Sequence, residues 1–182
     1  MFETILDRLA EEDAVAALPP VPESITLSVI VPTYRRPQGL ERLLGALEKQ
    51  VTANPRYSVV VVNDGTHDAD YQRVVDRYGH FIEYHALPQN CGPARARNEA
   101  AKRAKGSFLV FTDDDCEPPP HWLDRLAAIL DASPFLAVVG GPTRPPESLH
   151  PGVFEKFLKQ MNFFPRPVYG AGTLICLPTA NL

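Results

Sequence analysis

The apolar run Phe108-Leu109-Val110-Phe111 leads through Thr112 straight into three consecutive carboxylates, Asp113, Asp114 and Asp115. A short apolar run bounded by Gly-Ser on one side and polar residues on the other predicts a strand buried on both faces, as in the middle of a parallel sheet. In such sheets ligands collect outside the carboxyl ends of the strands, which is where these acids fall. In an extended chain Asp113 and Asp115 point to one side and Asp114 to the other. Two carboxylates on one side repel each other unless a cation lies between them. Oxygen-only ligands suit Mg²⁺ or Mn²⁺, which commonly bridge to substrate phosphates. The competing reading is an acidic turn that leads into a helix start at Pro118-Pro119-Pro120.

Strand-like and helix-like stretches alternate on both sides of this run. Residues 3–17 carry Ile5, Leu6 and Leu9 among acids and small residues, an amphipathic helix stopped by Pro19, Pro20 and Pro22. Residues 25–31 predict the first strand, with Pro32-Thr33-Tyr34-Arg35-Arg36 as its exit loop. Pro37 suits a first helical turn, and Leu40, Leu43, Leu44 and Leu47 recur at helical spacing. Residues 57–62 predict a second strand ending in Asn63-Asp64-Gly65. That tripeptide favours a tight turn, yet it places another acid at a strand's carboxyl end. A helix over 68–78 and a strand over 81–87 follow.

Gly92-Pro93 then opens an Ala-rich helix whose free N–H groups suit an anion. Arg95 and Arg97 in its first turns run against the helix dipole. They fit either an anionic ligand or two solvated side chains. Trp122, Leu123, Leu126, Ile129 and Leu130 mark a helix, and 135–139 a fifth strand. The expected fold is α/β with a mostly parallel sheet flanked by helices. Pro142, Pro145, Pro146 and Pro151 mark a loop, Val153, Phe154, Phe157, Leu158 and Met161 an apolar helical stripe, 168–172 a mobile segment and 173–177 a last short strand. The domain boundaries expected from this pattern are an N-terminal helix and linker over 1–24, a ligand-binding α/β domain over 25–142, and the incomplete start of a second region over 143–182.

Composition narrows the function. The chain has 182 residues and a formal charge of -4, with no basic excess to suggest nucleic acid as a partner. No apolar run approaches the roughly 20 residues that span a bilayer. Residues 1–8 lack the basic start and apolar middle of a signal peptide. Cys91, Cys116 and Cys176 lie far apart, without the paired spacing of a zinc site and odd in number for disulfides. The expectation is free thiols in a cytoplasmic protein, with any membrane association arising through its acceptor.

In order, Ser28-Val29-Ile30-Val31-Pro32-Thr33-Tyr34, Val61-Val62-Asn63-Asp64-Gly65, Gly92 with Ala96-Arg97-Asn98, Phe111-Thr112-Asp113-Asp114-Asp115, Gly140-Gly141 and Thr179-Ala180-Asn181-Leu182 resemble the family 2 glycosyltransferases, the inverting group with the GT-A fold. Each piece is weak alone, and the ordered set is specific. The resemblance implies a GT-A, Rossmann-like sheet and a nucleoside-diphosphate-sugar donor, typically a UDP-sugar. It implies that Pro32, Thr33 and Tyr34 line the nucleobase, that Asp64 hydrogen-bonds the base, and that Arg97 lies near the nucleotide with Asn98 supporting the loop. It also implies that Asp113–Asp115 hold the family's Asp-x-Asp motif. Asp115 would bind Mn²⁺ or Mg²⁺ on the diphosphate, and Asp113 or Asp114 would contact ribose or sugar. The family's general base is an acid beyond the Ala-Asn-Leu segment, so the catalytic residue is expected outside this chain. Glu147 and Glu155 are the acids that follow Asp131, and neither sits in the base motif. A donor half that binds nucleotide-sugar and transfers poorly is the resulting expectation. The alternative is a binding fragment or subunit without catalysis of its own. A phospho-receiver domain fits less well because Lys102 and Lys105 are poorly placed, and a nucleotidyltransferase because its Gly-rich, Lys-containing opening is missing.

Overall fold

The computed structural model describes residues 26–53, 57–132, 139, 152, 168–170 and 173–176, with 51–53, 168–170 and 173–176 described in backbone only. Four parallel strands form the sheet: β1 (Leu27–Thr33), β2 (Tyr57–Asn63), β3 (Ile82–Ala86) and β4 (Phe108–Phe111), in the order β3-β2-β1-β4. The helices between them are α1 (Pro37–Ala53), α2 (Ala69–Tyr78) and α3 (Pro93–Ala101), and α4 (Trp122–Ala132) follows β4. Val29 sits level with Val59 on one side and Val110 on the other.

The near-continuous Val/Ile runs of β1 and β2 are explained by burial on both faces. Leu27, Val29 and Val31 of β1, with Val59 and Val61 of β2, pack under Leu40, Leu43, Leu44 and Leu47 of α1. Tyr71, Val74 and Tyr78 of α2 and Leu123, Leu126 and Leu130 of α4 complete that layer. The alternate residues Ile30, Val60 and Val62 face the other way, onto Ala96 and Ala100 of α3. Those small residues let α3 lie close against the sheet. Asp68 caps α2 with its carboxylate, accepting from the N–H groups of Asp70 and Tyr71.

Several expectations are corrected. β1 runs through Pro32 to Thr33, where an exit loop was expected, because the parallel register with β2 continues to the Thr33–Asn63 pair and the Asp64 N–H donates to the Thr33 carbonyl at 2.8 Å. β4 was expected in the buried middle of the sheet. Among the described residues it pairs with β1 alone, and Leu109 is 40% exposed. Residues 168–170, expected as part of a mobile segment, form β5 (Val168–Gly170), paired antiparallel with β6 (Thr173–Cys176). The helix expected over 3–17 and the stripe at 153–161 lie outside the described residues, as does the strand expected over 135–139 except for Val139, which packs against the larger core layer. Among the described residues no helix is long and apolar enough to cross a membrane.

Candidate functional site

The chain winds from β1 to β2 to β3 in one direction, then returns to place β4 on the opposite side of β1. The carboxyl ends of β1 and β4 therefore flank a topological switch point, where neighbouring loops diverge and leave a crevice. Thr33, Tyr34, Arg35 and Arg36 come from one side of this crevice, and Asp113, Asp114 and Asp115 from the other.

Three hydrogen bonds and one ion pair tie the two sides together in a ring. The Arg36 backbone N–H donates to Tyr71 Oη at 3.0 Å. Tyr71 Oη and Thr33 Oγ1 lie 2.8 Å apart, and Thr33 Oγ1 donates to Asp114 Oδ2 at 2.7 Å. Since the Thr33 hydroxyl hydrogen is committed to the carboxylate, the Tyr71 hydroxyl is the donor to Thr33. The Arg36 guanidinium, 3.7 Å from Asp114 Oδ1, closes the ring. Asp114 is only 6% exposed. Burial pushes its carboxyl above the ordinary carboxylate range, while the Thr33 hydroxyl, Arg36 and the Tyr34 backbone N–H pull it down. Burial also pushes the Tyr71 phenol up.

The outer two acids have separate partners. The chain leaves extended geometry after β4 and turns, with the Cys116 N–H donating to the Asp113 carbonyl at 3.1 Å. Asp114 points inward, as the alternation predicts. Asp113 pairs with Arg97 of α3, while Asp115 pairs with Arg36, whose charged form is strengthened by that contact. Asp113 and Asp115 were expected to share one cation. The turn gives each its own guanidinium instead, and among the described residues no group of three His, Cys, Asp or Glu side chains gathers to hold a metal. Of the two readings its position suggested, Arg97 is not a solvated side chain, because it is largely covered against Asp113. Arg95 is exposed.

Asp64 is 2% exposed at the end of β2. Its Oδ1 accepts from the Cys91 N–H at 2.7 Å and its Oδ2 from the Gly92 N–H at 2.8 Å. The carboxylate thus holds the segment that enters α3. Gly65 makes this approach possible: its φ is +81°, and a Cβ there would lie 2.2 Å from the Gln89 carbonyl carbon. Asn63 braces the same turn, accepting from the Thr66 N–H at 2.9 Å and donating to Tyr84 Oη at 2.7 Å. Nearby, Tyr34 is partly exposed, with the Arg35 guanidinium 4.9 Å from its ring centroid. Arg35 itself has φ 54°, the left-handed region that non-glycine residues seldom occupy.

Sequence reasoning located Thr33, Tyr34, Asp64, Arg97 and the three acids, and the fold brings all of them to the strand ends. It missed Tyr71 and Arg36. Tyr71 reads as one more apolar position in the α2 stripe, and nothing in that stripe indicates a partner for its hydroxyl. Arg36 carried no signal beyond lying between Tyr34 and Pro37.

A parallel sheet of this order with its switch point between β1 and β4 is shared by doubly wound α/β folds, and its likeness to solved glycosyltransferases makes it a GT-A domain. The chain belongs to glycosyl transferase family 2, whose profile matches residues 28–178. Among its relatives, the glycosyltransferase AglE of Haloferax volcanii is 28% identical over 121 residues, 63% of this chain and 38% of AglE. The poly(ribitol-phosphate) β-N-acetylglucosaminyltransferase TarS of Staphylococcus aureus is 36% identical over 107 residues, 57% of this chain and 18% of TarS. A crystal structure of TarS in complex with UDP superposes with a TM-score of 0.55 at 34% identity, covering 59% of this chain and 32% of that one. The chain therefore spans well under half the length of these relatives.

Proposed function

We propose that this chain is the donor-binding part of a glycosyltransferase that takes the sugar of a nucleoside diphosphate, UDP-sugar foremost, and passes it to an acceptor with inversion and the help of a divalent cation. The observation that carries the reading is the acidic turn at the β1/β4 switch point, locked to the end of β1 by the Thr33–Asp114 hydrogen bond. TarS, crystallised with UDP, supports the choice of base.

In this reading the exposed face of Tyr34 stacks the nucleobase against the wall formed by Pro32 and Thr33. Asp64 keeps Cys91 and Gly92 in place, and its remaining lone pairs meet a base N–H. Asp113 and Asp114 border the ribose and sugar, and Arg97 holds Asp113 in position. Asp115, the most exposed of the three acids, takes the cation. The donor set fits Mg²⁺ or Mn²⁺, since these ions are often held by one or two carboxylates with substrate phosphates completing the shell. Such an ion neutralises the charge that grows on the departing diphosphate. Attack by an acceptor hydroxyl needs a general base, and no residue of this chain is assigned to it. The second reading is a nucleotide-sugar-binding unit without catalysis of its own.

Calorimetric titration of the purified protein with UDP, GDP and dTDP, each with Mn²⁺ and with EDTA, tests the donor site. Metal-dependent binding of UDP above the other two is expected. No binding of any of the three by folded protein would overturn the reading, and sugar transfer by this chain alone would remove the second one.

A further inference from the structure

The acidic turn holds two arginines of different character. Arg97 and Asp113 are both largely covered, with side chains 19% and 30% exposed. Arg36 and Asp115 are open to water, at 57% and 55%. The Arg36 backbone is anchored at both ends, its N–H on Tyr71 Oη and its carbonyl accepting from the Leu40 N–H at 3.0 Å in the first turn of α1. Only the long, exposed side chain is free to move.

That side chain lies on Asp115 Oδ2 and within 3.7 Å of Asp114 Oδ1. A buried carboxylate such as Asp114 needs positive charge nearby, and Asp113 already takes the charge of Arg97. Any second cation placed on the same two carboxylates meets a like charge at contact distance. An exposed ion pair is a weak tie, so Arg36 can yield its place without disturbing the fold.

We propose that Arg36 is a resident counter-cation of the acidic turn, which a divalent cation must displace from Asp115 and Asp114 in order to bind. The inference rests on the donor-site reading above, because it takes the acidic turn as the place where the cation binds. Arg36 then has two consequences. It offsets the repulsion between the two carboxylates and keeps the turn closed when no donor is present. It also sets a threshold that metal alone crosses poorly and that metal with diphosphate crosses readily, since the phosphate oxygens supply the remaining ligands.

The test is a Mn²⁺ titration followed by the electron paramagnetic resonance of the free ion, with and without UDP, on the wild-type protein, Arg36→Gln and Arg36→Lys. Thermal melts establish that each variant is folded. Arg36→Gln is expected to bind Mn²⁺ roughly three- to tenfold more tightly than wild type, the size of one exposed ion pair and one nearby like charge. The gain should be larger without UDP and shrink as salt is raised. Arg36→Lys, which keeps the charge and loses the planar fork, should fall between the two. Unchanged or weaker Mn²⁺ binding by Arg36→Gln, with wild type binding Mn²⁺ in the presence of UDP, overturns the inference and leaves the donor site standing. Absence of Mn²⁺ binding in all three proteins, with UDP present, overturns both.

Discussion

Thr33 and Asp114 stand 81 positions apart in the chain and are joined by a buried hydrogen bond of 2.7 Å. The bond fastens the carboxyl end of β1 to the turn after β4, across the point where the winding of the sheet reverses. Everything proposed for the site depends on that junction, because it decides where the acidic turn lies relative to Tyr34 and Arg36.

Replacing Thr33 by Val keeps the shape of the side chain and removes the donor. The Asp114 carboxylate then loses a hydrogen bond in a place water does not reach, and the Tyr71 hydroxyl loses its acceptor. We expect a loss of about 1–3 kcal/mol, read from urea denaturation at neutral pH. A variant as stable as wild type would mean the bond contributes nothing to folding.

The raised carboxyl of Asp114 predicts a pH dependence with a definite sign. Its folded value lies above the unfolded one because burial disfavours the charged form. The folded state therefore binds the proton more tightly, and this contribution to stability is fully present below the unfolded value, near 3.9. It is lost as pH rises through the folded value. Asp114→Asn does not titrate, so the stability of wild type relative to this variant should fall as the pH is raised from 3 toward 7. A difference that grows in that interval would reverse the assignment.

Two glycines of α1 predict opposite outcomes for the same substitution. A Cβ on Gly39 would lie 2.7 Å from the Asp114 carbonyl oxygen, a backbone atom that cannot swing aside. On Gly45 the nearest atom is Tyr78 Oη at 3.4 Å, an ordinary contact. Gly45→Ala should stabilise by roughly 0.5–1 kcal/mol through helix propensity. Gly39→Ala should destabilise by about 1–3 kcal/mol as α1 and the acidic turn are forced apart, and it should weaken UDP binding too. Thermal melts of the pair, with equal shifts in the same direction, would count against this close approach.

Asp64→Ala strips the acceptor from two backbone N–H groups at once. A loss on the order of 3 kcal/mol is expected, together with faster amide hydrogen exchange at Cys91 and Gly92. Unchanged exchange at those two amides would show that another group holds the entry to α3.

Much of this was legible in the residues. The apolar spacing of Leu40, Leu43, Leu44 and Leu47 implied the buried face of α1, and all four are fully covered. Acids at the ends of apolar runs marked Asp64 and Asp113–Asp115 as strand-end residues, because a strand buried on both faces leaves only its ends for polar groups. The role of Asp114 was not legible. Alternation set the middle acid opposite the outer two, but it took the fold to bring Thr33 to the middle one and the turn closed by Cys116 to aim the outer two at different arginines.

Local patterning thus determined the parallel α/β class, the element order and the set of residues at the strand ends, since periodicity and turn chemistry act over a few neighbouring positions. Tertiary structure alone decided which of those residues meet. Partners such as Thr33 and Asp114, Arg36 and Asp115, or Asp64 and Gly92 are chosen by the strand order and by the turns that bring distant ends together. No spacing within the chain encodes a contact whose two halves reach each other only after the sheet has closed between them.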